Sequence, residues 1–186
     1  KVCVLGLGYV GLTLSATLSD LGLKVIGVDK DGDLINDLKK RKPHFHEKGL
    51  KQLLDTISKN KYPPQYIDKL ENPCAEIYII TVGTPILKPS LKPNIDYVRS
   101  AATEVANVLK ANDLVILRST VPVGTTRNVV LPILEQKSGL KAGKDFSIAF
   151  CPERTIEGKA LKELRQLPQV IGGYDEKSAN IARSLF

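Results

Sequence analysis

The sequence predicts an α/β fold in which helices cover both faces of a parallel sheet. Short apolar runs alternate with amphipathic segments along the chain, and continuous apolar strands are typical of a sheet that is buried on both faces. The first apolar run passes through a glycine-rich turn, Gly6-x-Gly8-x-x-Gly11, directly into a segment of helical character. A strand, a tight turn and a helix in this order indicate a doubly wound, Rossmann-type sheet.

Each glycine of this turn has a separate physical role. Gly6 permits a sharp turn, Gly8 lets the backbone approach a pyrophosphate without an intervening Cβ, and Gly11 lets the helix lie close to the strand. The free N–H groups of the first helical turn then face an anion. The motif alone is a weak signal, so the rest of the chain has to support it.

An acidic residue gives the first independent support. Residues 24–28 predict a second strand, and Asp29 follows it about 20 residues beyond the glycines, where a carboxylate bonds the adenosine ribose hydroxyls. A carboxylate there repels a 2′-phosphate, which favours NAD over NADP, although the adjacent Lys30 weakens that preference. The alternative is that Asp29 only caps the following helix.

The remaining elements are expected to alternate between strand and helix. Further strands are predicted near residues 66–67 and over 75–81, 114–120, 146–150 and 169–173. Helices are predicted from residue 12 to about 20, over 32–40 and 49–58, from 94 onward, and over 127–136 and 175–186. Residues 86–93 are predicted to be an exposed loop, and Thr125 and Thr126 are placed to cap the helix after them.

Five motifs follow the carboxyl ends of the predicted strands. They are the glycine turn, Asp29, residues 82–85, Ser119–Thr120 and residues 152–154. Parallel strands end at the same edge of a sheet, and ligands bind there, so all five motifs are expected to face one crevice. This convergence turns the glycine motif into a strong signal for a dinucleotide site.

Composition argues against other classes of partner. The net charge is +7, but the densest basic run, residues 39–42, has no interleaved aromatic residues, so nucleic-acid binding is not expected. No apolar run approaches the roughly 18 residues that span a membrane, and no signal peptide is expected at the start of the chain.

The cysteines and histidines do not form a metal or disulfide pattern. Cys3, Cys74 and Cys151 are an odd number without C-x-x-C spacing, which predicts reduced thiols and a cytoplasmic location. Cys151 is expected to be mainly structural. His44 and His46 lack nearby partners, so no metal site is expected.

Six motifs in a fixed order carry a resemblance to a known family. They are G-L-G-Y-V-G from Gly6, the acid Asp29, P-H-F-H-E-K-G-L from Pro43, V-G-T-P from Val82, S-T-V-P-V-G-T-T from Ser119 and C-P-E-R-T-I-E-G from Cys151. Together they resemble the N-terminal NAD-binding domain of the UDP-glucose/GDP-mannose dehydrogenase family over most of the chain. C-P-E-R, with L-P-Q-V-I-G-G from Leu167, is similar to the branch that acts on UDP-N-acetylhexosamines. The UDP-glucose branch tends to show Phe where Arg154 stands.

The resemblance implies a reaction for the whole protein. It is the oxidation of the C6 alcohol of a UDP-sugar, with UDP-N-acetylmannosamine favoured, to the uronic acid with two NAD+. The family's nucleophilic cysteine, linking helix and C-terminal substrate domain are expected beyond residue 186. Residues 1–186 are therefore expected to form the NAD-binding domain, and to bind NAD without completing the oxidation. The full-length protein is expected to be a homodimer, and for residues 1–186 alone a monomer stays an open alternative.

The resemblance also assigns residues to the cofactor. It places the pyrophosphate on the turn formed by Gly6, Gly8, Tyr9, Val10 and Gly11. It places the ribose at Asp29, the nicotinamide half near Thr84 and Thr120, and a contribution to the nicotinamide site at Glu157.

Further assignments concern the reacting end and the substrate. Thr120 and Glu153 are expected beside the reacting atoms, with Glu153 as a general acid/base or water-orienting group. Arg154 and Thr155 are expected to contact the substrate, and an Arg suits its phosphates or hydroxyls. The alternative for Glu153 and Arg154 is a surface ion pair between them.

Three other functions stay open. One is a UDP-glucose or GDP-mannose dehydrogenase of the same family. Another is a dehydrogenase of the β-hydroxyacid or 6-phosphogluconate type, against which the C-P-E-R and S-T-V-P-V-G motifs argue. The third is a stand-alone NAD-binding module without catalysis.

Overall fold

The computed structural model describes residues 1–186. Its strands and helices alternate except over residues 32–93, where two helices and then four strands follow one another. The strands are β1 (Val2–Leu5), β2 (Val25–Val28), β3 (Gln65–Ile67), β4 (Ile77–Ile80), β5 (Ile86–Leu87), β6 (Lys92–Pro93), β7 (Leu114–Leu117), β8 (Ser147–Phe150) and β9 (Gly172–Gly173). The helices are α1 (Tyr9–Asp20), α2 (Gly32–Lys39), α3 (Leu50–Ile57), α4 (Asp96–Val108), α5 (Leu131–Ser138), α6 (Ala160–Gln166) and α7 (Glu176–Arg183).

Seven of the strands form one sheet in the order β3-β2-β1-β4-β7-β8-β9. The first six of these are parallel, and β1 pairs with β2 on one side and with β4 on the other. The strand order reverses at β1 and β4, which is the point where doubly wound sheets bind dinucleotides. The predicted α/β, Rossmann-type fold is confirmed.

Each face of the sheet has its own apolar core. Alternate residues of a strand point to opposite faces, so Cys3 and Leu5 pack with α4 and α5 in a cluster of 20 buried residues. Val2 and Val4 pack on the other face with α1 and α7 in a cluster of 11 buried residues. A third cluster, of 9 buried residues, joins α1 to α2 and α3. These layers fix the carboxyl ends of the strands relative to α1.

Several local predictions were wrong. The last strand covers only Gly172–Gly173, and it pairs antiparallel to β8. Residues 86–93 contain the short hairpin of β5 and β6 rather than a plain loop. The Thr125 hydroxyl does not cap a helix but donates to the carbonyl of Pro122 at 2.7 Å, and a π-helical turn, Thr126–Val130, precedes α5.

No helix is long and apolar enough to cross a membrane. All three cysteines are free, with Cys3 and Cys151 buried and Cys74 partly buried.

Candidate cofactor and active site

A cavity of about 620 Å³ opens along the carboxyl edge of the sheet, a volume typical of small-molecule sites. Members of all five predicted strand-end motifs line it, so the expected convergence is confirmed. The lining residues from those motifs are Gly6, Gly8, Tyr9, Val10, Asp29, Val82, Gly83, Thr84, Ser119, Thr120 and Glu153.

The three glycines of the turn differ in what surrounds them. Gly6 has a φ of +91°, and a Cβ there would lie 2.8 Å from the Cα of Val82. A Cβ on Gly11 would lie 1.8 Å from the carbonyl oxygen of Gly6, so this glycine is required for α1 to pack against the turn. A Cβ on Gly8 would meet no protein atom within 4 Å. The protein therefore leaves open the space beside Gly8, and a ligand that lies against this backbone would fill it.

The start of α1 presents unbonded amides to the same space. Leu12 N makes the first bond of the helix, to the carbonyl of Gly8 at 3.0 Å. The amides of Tyr9, Val10 and Gly11 precede that bond, so their hydrogens remain available to a ligand. Aligned N–H groups and the helix dipole favour an anion, and a pyrophosphate fits both.

Asp29 stands at the end of β2 with both carboxylate oxygens engaged. One oxygen accepts from Leu7 N at 2.7 Å, and the other accepts from Asp31 N at 3.1 Å. The helix cap of α2 is Asp31, whose carboxylate accepts from the amides of Asp33 and Leu34, so the alternative that Asp29 serves as that cap is wrong. Asp29 is held in the cavity wall, with lone pairs left for ribose hydroxyls.

Beyond Asp29 the cavity continues between β2 and α4. The ammonium of Lys30 lies 4.2 Å from the ring centroid of Tyr97, and Ser100, Ala101 and Glu104 complete this end. A cation held over an aromatic ring is partly satisfied there. Lys30 is thus less free to attract a 2′-phosphate than its place in the sequence suggests.

The loops after β4 and β7 are tied together at the middle of the cavity. Thr84 donates its hydroxyl to the carbonyl of Thr120 at 2.7 Å, and Ser119 donates its hydroxyl to the carbonyl of Val82 at 2.7 Å. These bonds bring Thr84 and Thr120 together, as the sequence predicts. The Thr120 side chain stays exposed to the cavity.

At the far end Glu153 forms a buried ion pair with Arg118, a residue that the sequence analysis missed. The guanidinium is fully buried, and its Nη2 lies 2.7 Å from Oε2 of Glu153. It also donates to the carbonyl of Cys151 and to the side-chain oxygen of Gln169, each at 3.2 Å. The one available signal was an arginine at the end of the apolar run L-V-I-L, where a charge needs a buried partner.

The second oxygen of Glu153 is also occupied. It accepts from the amides of Arg154 and Thr155 at 2.7 and 2.9 Å. Burial acts to raise the pKa of Glu153, but the charge of Arg118 and these hydrogen bonds outweigh it and hold the pKa below its usual value. Glu153 is therefore ionised at neutral pH, which suits a base or a water-orienting group better than an acid.

Four predicted site residues lie outside the cavity lining, and one of them is Gly11, which is buried where α1 packs against the turn. Arg154 is exposed and donates to the carbonyl of Pro168 at 3.3 Å, so the alternative of a surface ion pair between Glu153 and Arg154 is wrong. Thr155 is half-buried and bonds Glu153 through its amide. Glu157 is exposed on the same loop, and its charge contributes to the raised pKa of Tyr9.

The site contains neither an activated thiol nor a metal cluster. Burial raises the pKa of Cys151 to about 11, although Arg118 opposes the shift, so this thiol stays protonated at neutral pH. Nowhere in the chain do three or more His, Cys, Asp or Glu side chains form a group that could hold a metal ion.

Comparison with known proteins identifies the family of this chain. The UDP-glucose/GDP-mannose dehydrogenase family, NAD binding domain, matches residues 1–186. The chain belongs to this family. Because the match is to the family's NAD-binding domain, this chain is an NAD-binding domain. The open space at Gly8 and the free amides of α1 fit a dinucleotide.

Individual relatives agree with this assignment. UDP-N-acetyl-D-mannosamine dehydrogenase of Campylobacter jejuni is 38% identical over 192 residues, covering 100% of this chain and 46% of the relative. The structure of the UDP-N-acetylmannosamine dehydrogenase of Pyrococcus horikoshii matches with a TM-score of 0.93 at 33% identity, over 99% of this chain and 43% of that one. A ternary complex of the GDP-mannose dehydrogenase of Pseudomonas aeruginosa matches with a TM-score of 0.93 at 30% identity, over 100% and 43%. The NAD-binding domain thus spans less than half the length of these relatives.

Proposed function

We propose that this domain is the cofactor half of a nucleotide-sugar 6-dehydrogenase that oxidises the C6 alcohol of UDP-N-acetylmannosamine to the uronic acid. The observation that carries the proposal is one cavity that is lined by the glycine turn, Asp29, Thr120 and Glu153. A dinucleotide laid along it places its reactive ring beside a hydroxyl and an ionised carboxylate. The similarity to a UDP-N-acetyl-D-mannosamine dehydrogenase supports this choice of sugar.

The domain's residues divide into three groups in this proposal. The amides of the glycine turn bind the pyrophosphate, and Asp29 orients the ribose. Thr84 holds the loop of Thr120 in place through its 2.7 Å bond, and Thr120 contacts the nicotinamide half. Glu153, kept ionised by Arg118, orients a water or accepts a proton at the reacting carbon. NAD+, when bound, accepts the hydride that each of the two oxidations releases.

The loop after Glu153 would face the sugar nucleotide. Arg154 is exposed at the mouth of the site, where a guanidinium can pair with phosphate or sugar oxygens. Thr155 lies beside it, and Glu157 approaches the cofactor from the Tyr9 side. In this proposal, these three residues make their contacts only when the sugar nucleotide is bound.

The rest of the enzyme lies outside residues 1–186 in this proposal. The reaction needs a nucleophile for the aldehyde stage, and none of the three cysteines faces the cavity. The missing segment would supply the nucleophilic cysteine, most of the substrate site and the surface of a homodimer. The free cysteines favour a reducing compartment, the cytoplasm, for the complete protein.

Two measurements test the proposal. Calorimetric titration of residues 1–186 is expected to detect NAD binding, with NADP binding more weakly. The full-length protein is expected to reduce two NAD+ for each UDP-N-acetylmannosamine, while residues 1–186 alone produce no NADH. NADH production by the isolated domain would overturn the division of the active site that is proposed here.

A second substrate deserves the same assay because a specific comparison favours it. The Pseudomonas aeruginosa GDP-mannose dehydrogenase fits the fold as closely as the Pyrococcus horikoshii structure does. A panel of UDP-N-acetylmannosamine, UDP-N-acetylglucosamine, UDP-glucose and GDP-mannose, compared by kcat/KM, separates these candidates. If the full-length protein binds NAD but oxidises none of the four, a binding module without catalysis becomes the better description.

A further inference from the structure

Glu47 joins three segments that are far apart in the sequence. Its carboxylate oxygen Oε2 accepts a hydrogen bond from the hydroxyl of Tyr9, the first residue of α1. The same oxygen accepts a second hydrogen bond from Gly158 N at 2.8 Å. The Gly158 amide is shared, because it also lies 2.8 Å from the Tyr9 hydroxyl oxygen. We refer to these three residues as the Tyr9–Glu47–Gly158 clasp.

Glu47 is the buried member of the clasp, whereas Tyr9 is half-buried and Gly158 is exposed. Glu47 is only 5% exposed, which is rare for a glutamate unless its charge is bonded. The ring of Phe45 covers Tyr9, with the ring centroids 4.9 Å apart. Burial and the bond to Glu47 raise the pKa of Tyr9 to about 12, so its hydroxyl remains a proton donor at neutral pH. Charge-assisted bonds of this kind are stronger than neutral ones.

The clasp connects the start of α1 to the loop that follows Glu153. Tyr9 begins the helix whose amides face the pyrophosphate, and it lines the cavity itself. Gly158 closes the loop that begins at Glu153 and has a φ of +84°. Its amide donates to Glu47 at 2.8 Å. A shift of Tyr9 therefore moves the acceptor on which the loop of residues 153–158 depends.

We propose that Glu47 is a positioning residue that couples NAD binding at the start of α1 to the conformation of the 153–158 loop. Filling the space beside Gly8 fixes Tyr9, and Tyr9 and Glu47 together hold Gly158. The loop that carries Arg154 and Thr155 is then ordered before the sugar nucleotide arrives. The role of this loop in binding the sugar nucleotide rests on the proposed function, but the coupling between Tyr9 and Gly158 does not.

Amide hydrogen exchange, measured by NMR on residues 1–186 with and without NAD, tests the coupling. In the wild-type chain, NAD is expected to slow exchange at Gly158 by at least about tenfold, a shift of about 1.4 kcal/mol in the opening equilibrium. Glu47→Gln removes the charge at nearly constant volume, and Tyr9→Phe removes the hydroxyl but keeps the ring on Phe45. Both variants are expected to lose most of the NAD-dependent slowing. Lys48→Gln, at the exposed neighbouring position, is the control and is expected to keep it.

A double-mutant cycle distinguishes coupling from general destabilisation. If both residues act through one contact, the double variant loses no more NAD affinity than the worse single variant. Additive losses in affinity, or equal slowing at Gly158 in the wild type and in both variants, would overturn the proposal. Thermal melting identifies a variant that fails to fold, and the other single variant then decides the outcome. Absence of NAD binding by the wild-type chain would instead count against the proposed function.

Discussion

Arg118 and Glu153 form an ion pair in which the arginine is completely buried and the glutamate side chain is only 8% exposed. The two residues follow neighbouring strands, β7 and β8, whose last residues, Leu117 and Phe150, are in register. The guanidinium also donates hydrogen bonds to the side-chain oxygen of Gln169 and to the carbonyl of Cys151. The pair thus fixes the carboxylate in the cavity wall and keeps it ionised.

Removing one partner of this pair is expected to be costly. Arg118→Met leaves an uncompensated buried carboxylate, and we expect a loss of about 3–5 kcal/mol in the free energy of unfolding, measured with urea. The matched control is Arg165→Met, which breaks a 2.6 Å pair with Asp20 whose partners are 41% and 31% exposed. That control is expected to cost less than about 1 kcal/mol. Equal losses in the two variants would mean that burial of the first pair has no energetic importance.

The same pair makes a prediction about pH. Because the pKa of Glu153 is lower in the folded chain than its unfolded value of about 4.3, the unfolded chain binds more protons between these two values. The stability from the pair is therefore fully present above about pH 4.3 and lost as pH falls through the folded pKa. In Arg118→Met, only the amides of Arg154 and Thr155 still oppose the effect of burial, and the pKa of Glu153 is expected to rise. NMR titration of the Glu153 side-chain carboxyl checks the sign of this shift, and an unchanged pKa would contradict it.

Local patterns in the sequence are sufficient for the elements that carry the cofactor. Apolar runs ending in glycine or acid specify β1 and β2, and their carboxyl ends must meet because parallel strands share an edge. Arg118 was missed because its partner lies 35 residues away and becomes a neighbour only through the register of β7 and β8. Glu47 stands in the P-H-F-H-E-K-G-L motif, but its partners Tyr9 and Gly158 lie 38 and 111 residues away.

Other elements carry too little signal to be predicted. Helix α6 has seven residues, of which only Ala160 is buried, so it shows almost no apolar periodicity. The direction of β9 depends on how the chain returns after α6, and two glycines do not encode that direction. The sequence leaves open whether Asp29 caps α2, and only the geometry shows that the cap is Asp31.

The glycine turn offers a matched pair of substitutions. Gly11→Ala places a Cβ 1.8 Å from the carbonyl oxygen of Gly6, so it is expected to destabilise the fold by about 3 kcal/mol or more. Gly8→Ala meets no protein atom within 4 Å and is expected to leave stability within about 1 kcal/mol. Its methyl group would instead occupy the pyrophosphate space, and NAD affinity is expected to fall at least about tenfold.

Thermal melting and calorimetric titration separate the two glycine effects. The expected result is a stable Gly8→Ala chain that binds NAD poorly, beside a Gly11→Ala chain that melts early. A Gly8→Ala chain with wild-type NAD affinity would place the pyrophosphate elsewhere in the cavity.

The choice between NAD and NADP is expected to depend on Asp29. Asp29→Asn preserves the size of the side chain and one acceptor for Leu7 N or Asp31 N, but it removes the negative charge that repels a 2′-phosphate. We expect NAD affinity to fall about tenfold and NADP affinity to fall less or to rise, so that the preference narrows. The control is Asp33→Asn, an exposed acid in the first turn of α2, which is expected to change neither affinity. Titration of each variant with both dinucleotides measures the preference, and an unchanged ratio in Asp29→Asn would show that Lys30 and Tyr97, rather than Asp29, select the cofactor.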